Sequence, residues 1–346
     1  MEEARRTINN GLIIGVLSEK STRIEEGEYT KDDGTKGTCN YVRGEIVIST
    51  KNGDFKLNIS QPALTKDGKT ARLYANAETL HNSYISAVDA AKDKELTADI
   101  VGATVNLSCW DRYNTNTGKL ITSPQIRVTK VNREAADKES QTDFSLEGVI
   151  RSIKPELAGG KTEEGEEPEE TGRYLVELVT VNYRGEAEPF TLIVPEDLAE
   201  PFVEGYVDDD GETVEGYKPG DTCCLGVELS MRTVGGQRKK KGGFGRSANV
   251  SEGFSILELI VIGGEPPYSE DSEDEKTKPF TTTTMKKLMT ERDMKLKKLE
   301  EDGKSGNTAG TSTGGAKGKS SGKKGLGGRK PNVNSADMEG MDGAPF

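Results

Sequence analysis

Short apolar segments separated by turn-forming residues fill the chain from residue 11 to residue 133. Runs of roughly four to eight residues rich in Ile, Val and Leu, bounded by Gly, Asn or Asp, are typical of β-strands. We expect strands at residues 12–17, 43–49, 55–60, 105–110 and 126–131. The pattern therefore predicts a mainly β region at this end of the chain.

The second and third of these strands flank the pair Asn52-Gly53. Such a pair readily adopts the positive φ angles of a tight two-residue turn. We therefore predict a β-hairpin around residues 51–54.

A helical pattern then interrupts the strands. Leu80, Tyr84, Val88 and Ala91 recur three or four residues apart, and Asn76 precedes them as a candidate N-cap. We expect one helix of about four turns here. Three strands, a helix and two strands is the order of an OB fold, a five-stranded barrel that binds oligonucleotides on a strand face and in its loops.

The next block repeats this plan. Residues 148–150, 173–180, 190–194, 220–225 and 256–261 follow the order of the first block, and glycines punctuate both. Internal duplication predicts two tandem OB-like five-stranded barrels. One larger β-sandwich is the alternative.

Composition divides the chain into five segments. We expect a first OB-like domain at 1–136 and a second, with acidic loops, at 137–267. A charged, partly helical segment follows at 268–302. Residues 303–334 form a Gly/Ser/Lys-rich disordered linker that cannot bury a core, and residues 335–346 form an acidic tip.

The net charge of −12 is unevenly distributed. Residues 1–133 carry 19 basic and 17 acidic groups, residues 134–267 carry 13 and 29, and residues 268–346 carry 15 and 13. Much of the acid lies in the runs 163–170 and 208–215, which we expect to be solvated loops. The strand faces are therefore left free to be locally basic.

Several classes of protein are disfavoured by residue content. The four cysteines show no C-x-x-C spacing, and the single histidine, His81, lies in the expected helix. We therefore expect no metal, no cofactor and no Ser-His or Cys-His catalysis. No stretch is apolar enough to span a membrane or to form the core of a signal peptide, so we expect an intracellular, cytoplasmic protein without a membrane partner.

The end of the chain carries a family resemblance. Asp342, Pro345 and Phe346 are similar to the tip of bacterial and phage single-stranded DNA-binding proteins, in which a Gly-rich linker precedes an acidic segment ending in Pro-Phe. Ala344 replaces the usual larger aliphatic residue, and Gly343 interrupts the acidic run. The resemblance implies that Phe346 enters an apolar pocket of a replication or repair enzyme. The doubled barrel and the tail together resemble a phage-encoded version, which would act in the host cytoplasm.

Single strands require a positive groove and aromatic faces on which bases stack. In the first barrel, aromatic and basic residues alternate at short range, and we expect strand contacts from Tyr41, Arg43, Phe55, Lys56, Arg72, Tyr74, Trp110, Arg112 and Tyr113. The alternative for Phe55 and Trp110 is a place in the core.

The second barrel offers a Gly-flanked basic loop between its last two strands. A loop of this kind adapts to phosphates without specifying sequence. Its candidate contacts are Arg238, Lys239, Lys240, Lys241, Phe244 and Arg246. A solvated charge run is the alternative.

These observations favour a non-enzymatic, sequence-tolerant single-stranded DNA-binding protein of replication, recombination or repair that recruits partners through its tip. A β-rich phage structural or scaffolding protein is the alternative, and a magnesium nuclease stands third. The family's usual member assembles four single-barrel chains, so the doubling leaves open whether this chain forms a homo-oligomer. The basic linker could also associate with the acidic tip and compete with DNA.

Overall fold

A computed structural model describes residues 4–158, 169–207, 211–234, 237–238, 250–251, 254–272, 274 and 276–304. The strands are β1 (Asn9–Thr30), β2 (Lys36–Thr50), β3 (Gly53–Pro62), β4 (Ile100–Asn114), β5 (Lys119–Arg133), β6 (Gln141–Leu157), β7 (Glu170–Val181), β8 (Ala187–Val194), β9 (Gly205–Val207), β10 (Thr213–Glu215), β11 (Thr222–Val234), β12 (Gln237–Arg238), β13 (Val250–Ser251) and β14 (Phe254–Gly264). The helices are α1 (Arg72–Ser83), α2 (Ala87–Ala90), α3 (Glu196–Val203) and α4 (Thr282–Lys304).

The first five strands form an OB-like barrel. Antiparallel ladders join β1 to β2, β2 to β3, β1 to β4 and β4 to β5. No ladder joins β3 to β5, both of which are described throughout, so the hydrogen-bonded ring is open between them. Ala77 and Leu80 of α1 pack into the core of this barrel against the inward side chains of its strands.

The second barrel is closed. Ladders run from β6 to β7, from β7 to β8, from β8 in parallel to β14, from β14 to β11 and from β11 back to β6. Because the pairing returns to its first strand, the five strands enclose one core, as in the Greek-key barrel of an OB fold. The predicted mainly β, OB-like fold class is confirmed. A sandwich of two sheets packed face to face does not describe this ring.

The barrels are joined through backbone and side chains. Residues 9–14 of β1 pair with residues 141–146 of β6, which makes one continuous sheet. The Asn52-Gly53 turn of the predicted hairpin docks on β11 and β6: Met231 N of β11 donates to Asn52 O at 2.8 Å, and Asn52 Nδ2 donates to Thr142 Oγ1 of β6 at 2.7 Å. Gly53 has φ of 114° and lies against Met231, so a side chain would be excluded there.

The predicted four-turn helix is corrected to two helices. α1 begins at Arg72 and ends at Ser83, where Lys20 Nζ donates to His81 O at 2.8 Å and to Tyr84 O at 2.6 Å. This ammonium group satisfies carbonyls at the helix end, which favours termination. Asn76 is not an N-cap: its side chain bonds Val131 N and Val131 O of β5.

α4 fulfils the expectation of a helix in the segment 268–302, and it is held by tertiary packing. Met285 and Leu288 are buried against four outward-facing strand residues, Val149, Val179, Val181 and Ala187. These positions form a cluster separate from the core of the second barrel.

The two acidic runs have different outcomes. Part of the second run is a strand rather than a loop, since residues 213–215 form β10. The first run lies outside the described residues over 163–168. Among the helices of the described ranges, none combines the length and apolar character needed to cross a bilayer.

Candidate nucleic-acid interface

Trp110 and Arg112 lie on the outer face of the β4–β5 ribbon. After Val105, β4 loses its partner β1 and pairs only with β5, so this part projects beyond the barrel. Alternate residues of a strand share a face, which places Ser108, Trp110 and Arg112 on one side. The Trp110 side chain is 45% exposed, and the Arg112 guanidinium lies 4.5 Å from its ring centroid. This pair presents an aromatic face beside a cation to solvent.

The opposite face of the ribbon is covered. Tyr113 packs against Gly303 at the end of α4, and Asp111 accepts from Arg292 Nη2 at 2.7 Å. The Tyr113 ring is therefore held by the helix, unlike Trp110.

The aromatic–basic pair at the start of β2 is largely buried. Tyr41 is 8% exposed, and its hydroxyl donates to Glu28 O at 3.0 Å. The Arg43 guanidinium lies 4.2 Å from the Tyr41 ring centroid and pairs with Glu25 at 3.1 Å. The pKa of Glu25 is lowered by hydrogen bonds from Arg23 and Arg43. Both partners of this predicted stacking site are engaged within the protein.

Phe55 is corrected from an exposed ring to a core residue. It is fully buried, in phase with Leu57 and Ile59 on the inner side of β3. Lys56 points outward and pairs with Glu45 at 2.9 Å. No face of the Phe55 ring is open to a base.

Arg72 and Tyr74 lie on α1 rather than on a strand. Arg72 is exposed at the first turn, whereas Tyr74 is partly buried and packs against the core of the barrel. Burial also raises the pKa of Tyr74. The structure therefore does not bring either residue onto the β4–β5 ribbon that carries Trp110.

The basic loop lies mostly outside the described residues. Arg238 belongs to β12 and pairs with Val250 of β13, while Lys239, Lys240, Lys241, Phe244 and Arg246 are outside the described ranges. The tip residues Asp342, Pro345 and Phe346 are outside them as well. These assignments stay predictions.

We did not predict from the sequence that a helix covers the outer face of the second barrel. In an OB fold the middle strands form the usual oligonucleotide face. Here α4 lies on the outer face of β6, β7 and β8 through Met285 and Leu288. The adjacent apolar residues Leu178 and Val179, followed by Val181, were the sequence signal for it, because a strand with apolar residues on both faces is covered on both.

Sequence reasoning also missed the β7–β8 turn. Tyr183 is 64% exposed, and the Arg184 guanidinium lies 5.2 Å from its ring centroid. The turn Asn182-Tyr183-Arg184-Gly185 has the same aromatic–basic composition as the predicted contacts. It brings a second exposed aromatic–cation pair to the side of the second barrel that carries α4.

Titratable groups near the ribbon are shifted towards their neutral forms. Burial raises the pKa of the Glu188 carboxyl and raises the pKa of the Cys109 thiol to about 12. A thiol held neutral is a poor nucleophile. Within the part of the chain that the structure describes, no three His, Cys, Asp or Glu side chains converge as a metal site would require.

By its fold, the chain is a protein of two OB-like barrels, with an exposed aromatic residue and a cation on its β4–β5 ribbon. It belongs to the YorF family, whose model matches residues 9–302. No curated protein matches the sequence.

Two solved structures are similar to this chain. The wild-type single-stranded DNA binding protein from Thermus aquaticus is 13% identical, with a TM-score of 0.36, over 80% of this chain and 100% of that one. A deletion mutant of the same Thermus aquaticus protein is 12% identical, with a TM-score of 0.35, over 78% of this chain and 99% of that one.

Proposed function

We propose that this chain binds single-stranded DNA without sequence preference and performs no chemistry on it. The observation that carries the proposal is the exposed Trp110 ring beside Arg112 on the projecting β4–β5 ribbon of an OB-like barrel. Bases stack on aromatic faces irrespective of sequence, each for roughly 1–3 kcal/mol, while nearby cations contact the phosphates. In OB folds the loop joining the last two strands is a usual oligonucleotide contact.

The first barrel carries the contact in this proposal. Its ribbon leaves Trp110 open, whereas α4 occupies the outer strand face of the second barrel. The loop from Arg238 to Arg246 would add phosphate contacts from the second barrel, because its basic residues have the composition for backbone binding.

The tail would serve recruitment. The linker and the tip ending in Pro345 and Phe346 give the chain a tethered acidic end with a terminal aromatic ring. In this proposal replication, recombination or repair enzymes bind that end while the barrels hold the strand. The enzymes are thus coupled to the strand through the tail rather than through a barrel surface.

The test uses Trp110, the single tryptophan of the chain, as the probe. Stacking of a base on its ring should quench or shift its fluorescence when oligo(dT) is titrated. Saturable quenching with the oligonucleotide intact afterwards is expected. An unchanged spectrum together with no retention of labelled oligo(dT) would refute the proposal, and shortened product would show a nuclease instead.

A further inference from the structure

A cavity of about 280 Å³ lies where the two barrels meet α4. Its walls are the free edge of β4 near Ser108, the turn between β7 and β8, and the buried face of α4 near Arg292. Ligand pockets commonly measure roughly 300–1,000 Å³. This cavity is at the lower end of that range, so it could hold one small chemical unit but not an extended ligand.

The mouth of the cavity carries arginines that have no ion-pair partner among the described residues. Arg6, Arg127 and Arg184 line it, all three are exposed, and none forms an ion pair with any residue that the structure describes. In contrast, the acidic groups Asp111 and Glu186 at the same cavity are neutralised by Arg292 at 2.7 Å and by Lys295 at 2.5 Å. Guanidinium groups outside ion pairs are suited to bind phosphate.

The interior of the cavity holds polar atoms that lack partners. Ser108 is 4% exposed and Glu188 is 9% exposed, yet Ser108 Oγ and Glu188 Oε2 make no hydrogen bond among the described residues. The other Glu188 oxygen accepts from Asn182 Nδ2 at 3.1 Å. Leaving a buried polar group without a hydrogen bond is unfavourable, so a ligand with complementary polar atoms would be favoured there.

We propose that the cavity receives one nucleotide unit of the bound strand, with its phosphate on Arg127 and Arg184 and its base edge towards Ser108 and Glu188. This inference rests on the proposed function and deepens it. A hydroxyl and a carboxyl offer both donor and acceptor atoms, which is what the edge of a base requires. Burial also raises the pKa of the Glu188 carboxyl.

The cavity is lined by Cys109 and Asp111, the residues that flank Trp110 in β4. Ser108 and Trp110 are two residues apart on one face of β4, which corresponds to about 7 Å along a strand. Tyr183, beside Arg184, stands exposed at the rim. One strand would therefore pass from the Trp110 ring over the free edge of β4 into the cavity and leave past Tyr183.

The test compares two double variants of the full chain that lose the same charge. In the first, Arg127→Gln is combined with Arg184→Gln. In the control, Lys66→Gln is combined with Lys94→Gln, two exposed lysines without ion pairs in the described structure.

Fluorescence anisotropy of labelled oligo(dT) is measured over a salt series. The first variant should bind at least about 10-fold more weakly, with a slope of log K against log salt shallower by about 0.7, since the two arginines share one phosphate and each neutralised phosphate contributes about 0.7.

The control should keep most of its affinity. Equal affinities and slopes for the two variants would overturn the nucleotide site while leaving DNA binding itself intact. Failure of the wild-type chain to bind oligo(dT) would instead refute the proposed function.

Photocrosslinking provides a readout that does not depend on variant folding. Oligo(dT) carrying 5-iododeoxyuridine is irradiated with the wild-type chain, which is then digested with trypsin. We expect an adduct on Tyr183 in the peptide 174–184. Adducts elsewhere but none in this peptide would contradict the path through the cavity.

Discussion

At the scale of single residues, the side of the strand on which a residue lies decides whether it can contact DNA or belongs to the core. Phe55 shares its phase with Leu57 and Ile59 and is buried, whereas Trp110 shares its phase with Ser108 and Arg112 and is open. Both residues were predicted to contact the strand because each is an aromatic residue close to a basic one in the sequence. That criterion does not consider which side of the β-strand a residue faces. The alternation of side chains was available from the sequence and would have placed Phe55 inside.

The exposed ring of Trp110 leads to a residue-scale prediction. Replacing Trp110 by Ala removes one stacking surface, so labelled oligo(dT) should bind about 5- to 150-fold more weakly by anisotropy, corresponding to roughly 1–3 kcal/mol. The control is Tyr206→Ala, which removes a 38% exposed aromatic ring from β9, in the two-stranded sheet of β9 and β10. Equal affinities for the two variants would exclude Trp110 from the site.

At the scale of elements, the strands were predictable but the partner of α4 was not. The turns and apolar runs indicated both barrels, since each strand can be recognised from its own short sequence pattern. The spacing of Met285 and Leu288 indicated a helix, but not the surface it covers, because that contact joins residues about a hundred or more positions apart. The break between α1 and α2 was missed for the same reason: Lys20, which binds the carbonyls at the end of α1, is distant in sequence.

The packing of α4 leads to an element-scale prediction. Leu288→Ala removes a buried side chain and should destabilise the docked helix by about 2–3 kcal/mol. Calorimetry should show a lower Tm, by several degrees for a protein of this size. Met294→Ala, at a 58% exposed position of the same helix, is the control and should leave the Tm nearly unchanged. Similar Tm values for both variants would show that α4 does not hold the barrel face.

At the scale of the whole molecule, the proposed function assigns strand binding to the barrels and recruitment of partners to the tail. The barrels share one sheet through β1 and β6, so the surfaces that we propose to bind the strand keep a fixed position relative to one another. The duplication could be inferred from the repeated order of strands. The cavity between the barrels could not, because it is formed by β4, the β7–β8 turn and α4 only after the barrels pack.

The tail leads to a whole-molecule prediction. Phe346→Ala should abolish capture of replication or repair enzymes in pull-downs while oligo(dT) affinity stays at the wild-type value, because the aromatic end is separated from the barrels by the linker. Leu326→Ala removes the single leucine of the linker and serves as the matched control. Capture that survives Phe346→Ala would refute the tip as the recruiting element.

The central claim is that single-stranded DNA contacts the ribbon that carries Trp110. Titration of oligo(dT) into the wild-type chain, with Trp110 fluorescence recorded at low and high salt, tests it most directly. We expect saturable quenching that weakens steeply with rising salt and that competition by duplex DNA of equal length reverses only weakly. Quenching that duplex competes equally well, or an oligonucleotide that binds without altering Trp110, would contradict it.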